Sequence, residues 1–237
     1  MQIKIIFDKV TEDKFLHAGW GISFLIDDKI LFDTGEKGEW LLENMHSLGV
    51  NINKIEAVVI SHDHWDHWGG LWDLLIHRDT LKIYACPGFS KEFKEKVKKL
   101  KGRLIEVKRF KEIVAGIYTT GEISGNYQGK YMAEQAIVLK TNNGLTVITG
   151  CAHPGILKVL EKVKTKFSNE PIYFVLGGFH LMKLDERIIE IIVEDFKKMG
   201  VKKVGPTHCS GELAEKIFKK IYQDNFVTVK VKEDFEV

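Results

Sequence analysis

A chain of 237 residues, 44% of them hydrophobic, is long enough to bury one large core. Its 35 Lys and Arg and 33 Asp and Glu leave a formal charge of +2, with the signs interleaved as in Lys91-Glu92-Phe93-Lys94-Glu95-Lys96. That pattern offers no broad basic stripe for nucleic acid. Cys86, Cys151 and Cys209 are odd in number and widely spaced, so they are no disulfide framework. No apolar run approaches the ~20 residues of a membrane helix. Met1 to Phe7 alternates apolar and polar residues and lacks a signal-peptide core. No linker rich in Pro, Gly or Ser divides the sequence. We expect one domain over residues 1–237, soluble and cytoplasmic, with no membrane or nucleic-acid partner.

In chain order, the segments 3–7, 22–26, 30–32, 57–60, 82–85, 117–119, 136–140, 146–148, 172–175 and 227–231 read as strands. They are short, rich in Val, Ile and Phe, and bounded by Gly, Asp or Asn. Asp27-Asp28 and Asn142-Asn143-Gly144 read as hairpin turns. Helices are expected near 38–48, 68–77, 90–100, 155–166, 185–199 and 211–222. In the fifth, Ile188, Ile189, Ile191, Ile192 and Phe196 form an apolar stripe beside a Lys/Glu face. Strands outnumber helices and hairpins occur in both halves, which fits two mixed sheets with helices outside them, among other layered α/β arrangements.

The stretch Ser61-His62-Asp63-His64-Trp65-Asp66-His67-Trp68-Gly69-Gly70 carries the strongest chemical signal. It follows the apolar run 55–60. Alternation along an extended segment points His62 and His64 the same way, while Asp63 points away from them. Asp66 and His67 come where the chain turns into the next helix. Imidazoles and a carboxylate suit zinc, manganese or iron(II), and two ligand pairs this close suit two neighbouring ions. His46 and His77 fall in helical stretches among polar residues and read as surface histidines.

Ser-His-Asp-His-x-Asp-His-x-Gly-Gly resembles the signature of the metallo-β-lactamase superfamily. Further landmarks agree: Gly19 to Ser23, Leu31 to Gly35, Thr120 to Ile123, Thr149 to Gly155, Gly177 to Leu181, and Pro206 to Cys209. The Gly-Cys-x-His, Gly-Gly-Phe-His and His-Cys blocks resemble one branch, the archaeal dihydropteroate-synthase-like or ribofuranosylaminobenzene 5'-phosphate synthase enzymes. The resemblance implies a four-layer αββα sandwich of two mixed sheets. It implies two divalent ions, with zinc the first choice and manganese or iron the alternatives. His62, His64 and His153 would hold one ion, and Asp66, His67 and His208 the other. Asp66 could also hold an attacking water. Asp33 would orient a ligand histidine rather than touch metal.

The chain departs from the common pattern where many members carry a bridging aspartate and this one has Cys151. Two readings stand: a thiolate ligand of the second ion, or a small buried cysteine. Glu122, where many members have a histidine, has three: ligand, hydrogen-bond acceptor behind a ligand, or substrate contact. His180, after two glycines, reads as a contact to a phosphate or leaving group, or as a histidine packed under a helix start. His17 and Trp20 precede the second strand, where a loop could overhang the site. Trp65 and Trp68 flank the cluster and read as packing more readily than as a substrate platform.

The reaction expected is hydrolysis or group transfer on a phosphorylated or pyrophosphorylated small molecule. The branch resemblance implies attack by a ribofuranosylaminobenzene phosphate on a dihydropterin methyl pyrophosphate, with pyrophosphate leaving. A lactam, thioester or phosphodiester hydrolase would share the ligands. A metal sensor without turnover is the reading from another class.

Overall fold

The computed structural model describes residues 1–237, and its contacts divide them into two units, 1–108 with 230–236, and 109–229 with 237. In the first unit β1 (Gln2–Phe7), β2 (Ser23–Ile26) and β3 (Ile30–Phe32) form an antiparallel meander. Then β4 (Ala57–Val59), β5 (Lys82–Ala85) and β6 (Arg103–Glu106) add parallel to β3 in that order. Between them run α1 (Gly38–Ser47), α2 (Trp65–Trp68), α3 (Leu71–His77) and α4 (Lys91–Lys99). The strands β2 to β4 are buried throughout, so they read as unbroken apolar runs rather than alternating ones.

The second unit opens with the hairpin β7 (Lys111–Val114) and β8 (Ile117–Thr119). A separate two-stranded ribbon follows, β9 (Ile123–Tyr127) and β10 (Lys130–Glu134). Next come β11 (Ile137–Thr141), β12 (Gly144–Thr149), α5 (Ile156–Lys166), β13 (Ile172–Gly178), α6 (Glu186–Lys198), β14 (Lys203–Thr207) and α7 (Glu212–Tyr222). Strand order is β14-β13-β12-β11-β8-β7, with β12, β13 and β14 parallel and the rest antiparallel. Phe179, Phe196 and Phe218 interlock in its core with ring centroids 5.2–5.6 Å apart. The chain then returns to the first unit with β15 (Asp234–Glu236), antiparallel to β1. Two mixed sheets, each with its own helices, are the α/β class expected. No helix is long and apolar enough to cross a membrane.

Both expected hairpins form. Asp27 and Asp28 turn at φ 47° and 57°, and Thr141 pairs with Gly144 across Asn142-Asn143. Six strands went unread: β6, β7, β9, β10, β14 and β15. Several are exposed edge segments whose polar faces dilute the apolar signal. β14 carries Gly205 and Pro206, two residues that are unusual in a strand. Pro206 is tolerated because β14 ends its sheet. The strand expected at 227–231 does not form; residues 227–230 are irregular, tied to β14 by an isolated bridge between Val204 and Phe226 and by the Val227 amide on the Val204 carbonyl. The helix expected at 68–77 is broken into α2 and α3 at Gly69-Gly70, where side chains would strike the carbonyls of Glu36 and Thr34 at 2.0 and 2.3 Å.

Candidate metal centre

In both units the chemistry-bearing residues follow the carboxyl ends of parallel strands, where α/β sheets place their ligands. In the first unit Asp33 follows β3, and Ser61 and His62 follow its neighbour β4. The short α2 then delivers Asp66 and His67. Asp33, Ser61, His62, Asp66 and His67 are buried, and His64 is half-buried.

Hydrogen bonds fix which imidazole nitrogen is available. Asp33 Oδ2 lies 2.6 Å from His67 Nδ1. A carboxylate only accepts, so Nδ1 carries the proton and Nε2 is turned outward. The Ser61 hydroxyl donates to Asp33 Oδ2 at 2.7 Å and lies 2.8 Å from His62 Nδ1. With its proton committed, that hydroxyl accepts from His62 Nδ1, which leaves His62 Nε2 a lone pair. His62 Nε2 and His64 Nδ1 converge at 3.0 Å. His67 Nε2 faces Asp66 Oδ2 at 3.3 Å. Burial opposes a charged imidazole, but Asp33 and Asp66 outweigh it and hold the His67 pKa well above its ordinary value. Burial likewise pushes the Asp33 carboxyl up, only partly offset by His67.

Asp63 faces elsewhere, as expected. Its carboxylate accepts from Trp68 Nε1 at 3.1 Å and from the Ser90 amide at 2.6 Å, joining α2 to the start of α4. His46 and His77 are exposed. His17 contacts Glu43 at 2.5 Å, and its backbone is held by the buried Asn44. Trp20 and Trp65 are exposed, whereas Trp68 packs on Trp72 and Phe93.

In the second unit Cys151 and His153 follow β12, His180 follows β13, and His208 and Cys209 follow β14. Three adjacent parallel strands thus release their loops side by side. The ligand atoms of Cys151, His153 and His180 lie within 4.8 Å of one another, as do those of Cys151, His208 and Cys209. Cys151, His208 and Cys209 are buried, which fits both readings of Cys151. His180 sits against His153 with ring centroids 4.5 Å apart, and Tyr127 of β9 lies edge-on to both. Burial opposes a Cys209 thiolate, yet contacts with Cys151, His180 and His208 hold its pKa well below the ordinary range. The Cys209 contact raises that of His180.

Glu134, at the end of β10, escaped the sequence reading. Its Oε1 accepts from the amides of Cys151 (3.0 Å) and Ala152 (2.6 Å), and its Oε2 from the His153 amide (2.8 Å) and Nδ1 (3.0 Å). Despite burial, these bonds, led by His153, hold the carboxyl below its usual range. Glu134 does for His153 what Asp33 does for His67. No spacing rule links a ribbon residue to a loop 17–19 positions away, and β10 itself was unread. Ser61 had a signal, its place directly before His62. Glu122 accepts from the Tyr131 hydroxyl at 2.8 Å, on the same ribbon.

The sequence model of the metallo-beta-lactamase superfamily matches residues 23–212. The 7,8-dihydropterin-6-methyl-4-(beta-D-ribofuranosyl)-aminobenzene-5'-phosphate synthase of Methanocaldococcus jannaschii is 32% identical, over 87% of this chain and 86% of its own. An uncharacterised protein of that archaeon is 31% identical, over 95% and 96%. The crystal structure of Tm1679, a metal-dependent hydrolase of the beta-lactamase superfamily, is 30% identical. It matches with a TM-score of 0.84, over 100% of this chain and 99% of its own.

Proposed function

This chain belongs to the metallo-β-lactamase superfamily, and from that premise we propose a dinuclear metal-dependent enzyme acting on a phosphorylated or pyrophosphorylated small molecule. His62, His64 and His153 hold one ion in this reading. Asp66, His67 and His208 hold the other, with Cys151 beside it. One observation carries the assignment. Two buried carboxylates, Asp33 and Glu134, each accept a hydrogen bond from the Nδ1–H of a histidine and leave its Nε2 for a cation. Zinc is the first choice and manganese or iron the alternatives, since the donors are imidazole, carboxylate and thiol.

Held by these residues, divalent ions would supply a lowered pKa for bound water and a counter-charge to phosphoryl oxygens. The protein's own groups supply the rest. Asp66 orients the attacking group and accepts its proton. His180, beside His153, contacts the phosphate end of the substrate. The named relative is a synthase whose product, by its name, joins a dihydropterin to a ribofuranosylaminobenzene phosphate. By analogy we assign transfer between a ribofuranosylaminobenzene phosphate and a dihydropterin methyl pyrophosphate, in the cytoplasm. In that reaction pyrophosphate leaves as the new bond forms.

The test is turnover of that pair by protein loaded with zinc, manganese or iron. Phosphodiesters, phosphomonoesters, lactams and thioesters serve as the comparison panel. Metal-dependent turnover inhibited by free pyrophosphate is expected, and His180→Ala should raise KM with metal content unchanged. Activity confined to lactams or thioesters would overturn the phosphate assignment. Two bound ions with no turnover on any substrate would favour a sensor.

A further inference from the structure

We propose that Cys209 is a metal ligand, so that Cys151, His208 and Cys209 offer one divalent cation two thiolates and an imidazole. The inference rests on the dinuclear reading above and gives a role to a residue that reading leaves idle.

The geometry of the second unit supports it by itself. The two Sγ atoms and a His208 nitrogen lie within 4.8 Å of one another, and all three residues are buried. Neighbouring ligands of a tetrahedral zinc, with Zn–S of about 2.3 Å, stand roughly 3.8 Å apart, so a small contraction closes the set. The cysteines arrive from loops 58 positions apart, and the Cys209 thiol points at the Cys151 carbonyl at 3.6 Å. Room for that thiol is built into β13. A Cβ on Gly178 would stand 2.8 Å from Cys209 Sγ and 2.2 Å from the Gly150 carbonyl oxygen. Both loops are held in an unfavourable backbone form, with Ala152 at φ 60° and His208 at φ 50°. Strain of this kind persists where surrounding structure fixes a site. A cysteine present only to fill space needs neither the second sulfur nor this cradle.

Thiolate ligands have their own signatures, independent of turnover. Metal-free protein, kept reduced, is titrated with cobalt(II) and its near-ultraviolet sulfur-to-cobalt band is recorded. Cys209→Ser and Cys151→Ser should each lower the band to about half, and the double variant should abolish it. Retention of the full band in folded Cys209→Ser would overturn the proposal. X-ray absorption of the zinc-loaded unsubstituted protein guards against a variant that fails to fold. Two sulfur scatterers in one zinc shell support the inference, and one or none overturns it. Cobalt held by nitrogen and oxygen alone would sink the thiolate assignment and leave the dinuclear reading standing. Failure to bind any cobalt or zinc would sink both.

Discussion

Four site residues that are not glycine, Asp33, Ala152, His180 and His208, occupy the left-handed region at φ 50–60°. Each follows a parallel strand, and each costs about 1–3 kcal/mol that the surrounding sheet must offset. The buried carboxylates give this strain a purpose by aiming imidazoles. Glu134→Gln keeps the shape but loses the charge and one acceptor. It should lower metal affinity ~10–100-fold in a competition titration with a chromophoric chelator. Unchanged affinity would make Glu134 a loop anchor only. The His67 proton gives a pH dependence of definite sign. Its pKa in the metal-free protein lies well above the ordinary 6.5, so below that raised value a proton competes with the cation. Metal affinity should therefore fall as pH is lowered, with proton release on binding. Calorimetry in buffers of different ionisation enthalpy measures this release. Burial opposes the rise and Asp33 is the largest contribution to it, so Asp33→Asn should move the release to lower pH.

At the scale of elements, periodicity located the helices but misjudged the face of α6. In α6 the buried side is Ile189, Val193 and Phe196, at positions i, i+4 and i+7, while Ile188 and Ile191 are 42% and 49% exposed. Five apolar residues crowded into nine positions cannot all face one way at 100° per residue. The start of α6 is set locally, by Asp185 accepting from the Ile188 amide at 2.9 Å. Asp185→Ala should cost about 0.5–2 kcal/mol in denaturant unfolding while leaving metal content unchanged. A loss of metal there would mean that α6 positions the His180 loop. The β9–β10 ribbon was unreadable because its turn uses Gln128 and Gly129, both at positive φ, rather than an Asn-Gly signal.

For the whole molecule, the consequence of a bound cation is linkage. A cation bound by the native state and ignored by the unfolded chain stabilises by about 2.7 kcal/mol at a concentration 100-fold above Kd. Chelation should lower Tm and zinc should restore it, read by scanning calorimetry. His64→Ala and His208→Ala should each weaken that restoration. If chelator leaves Tm untouched in protein shown to carry metal, the ions are peripheral to the fold.

By itself the sequence determined what local chemistry can determine: most of the buried strands, the helices, two hairpins, and the His-x-His-x-Asp-His cluster with its family. Those signals lie within one stretch of chain and survive in any tertiary setting. Tertiary structure decided everything that depends on which strands are neighbours. The parallel order of β12, β13 and β14 sets Cys151 beside Cys209 and His153 beside His180. The β9–β10 ribbon brings Glu134 to the loop after β12. It exempts Pro206 by ending the sheet at β14, and it leaves 227–231 outside the sheet despite its valines. Strand pairing across tens of residues is settled by the burial of whole faces, and no window of sequence contains that information.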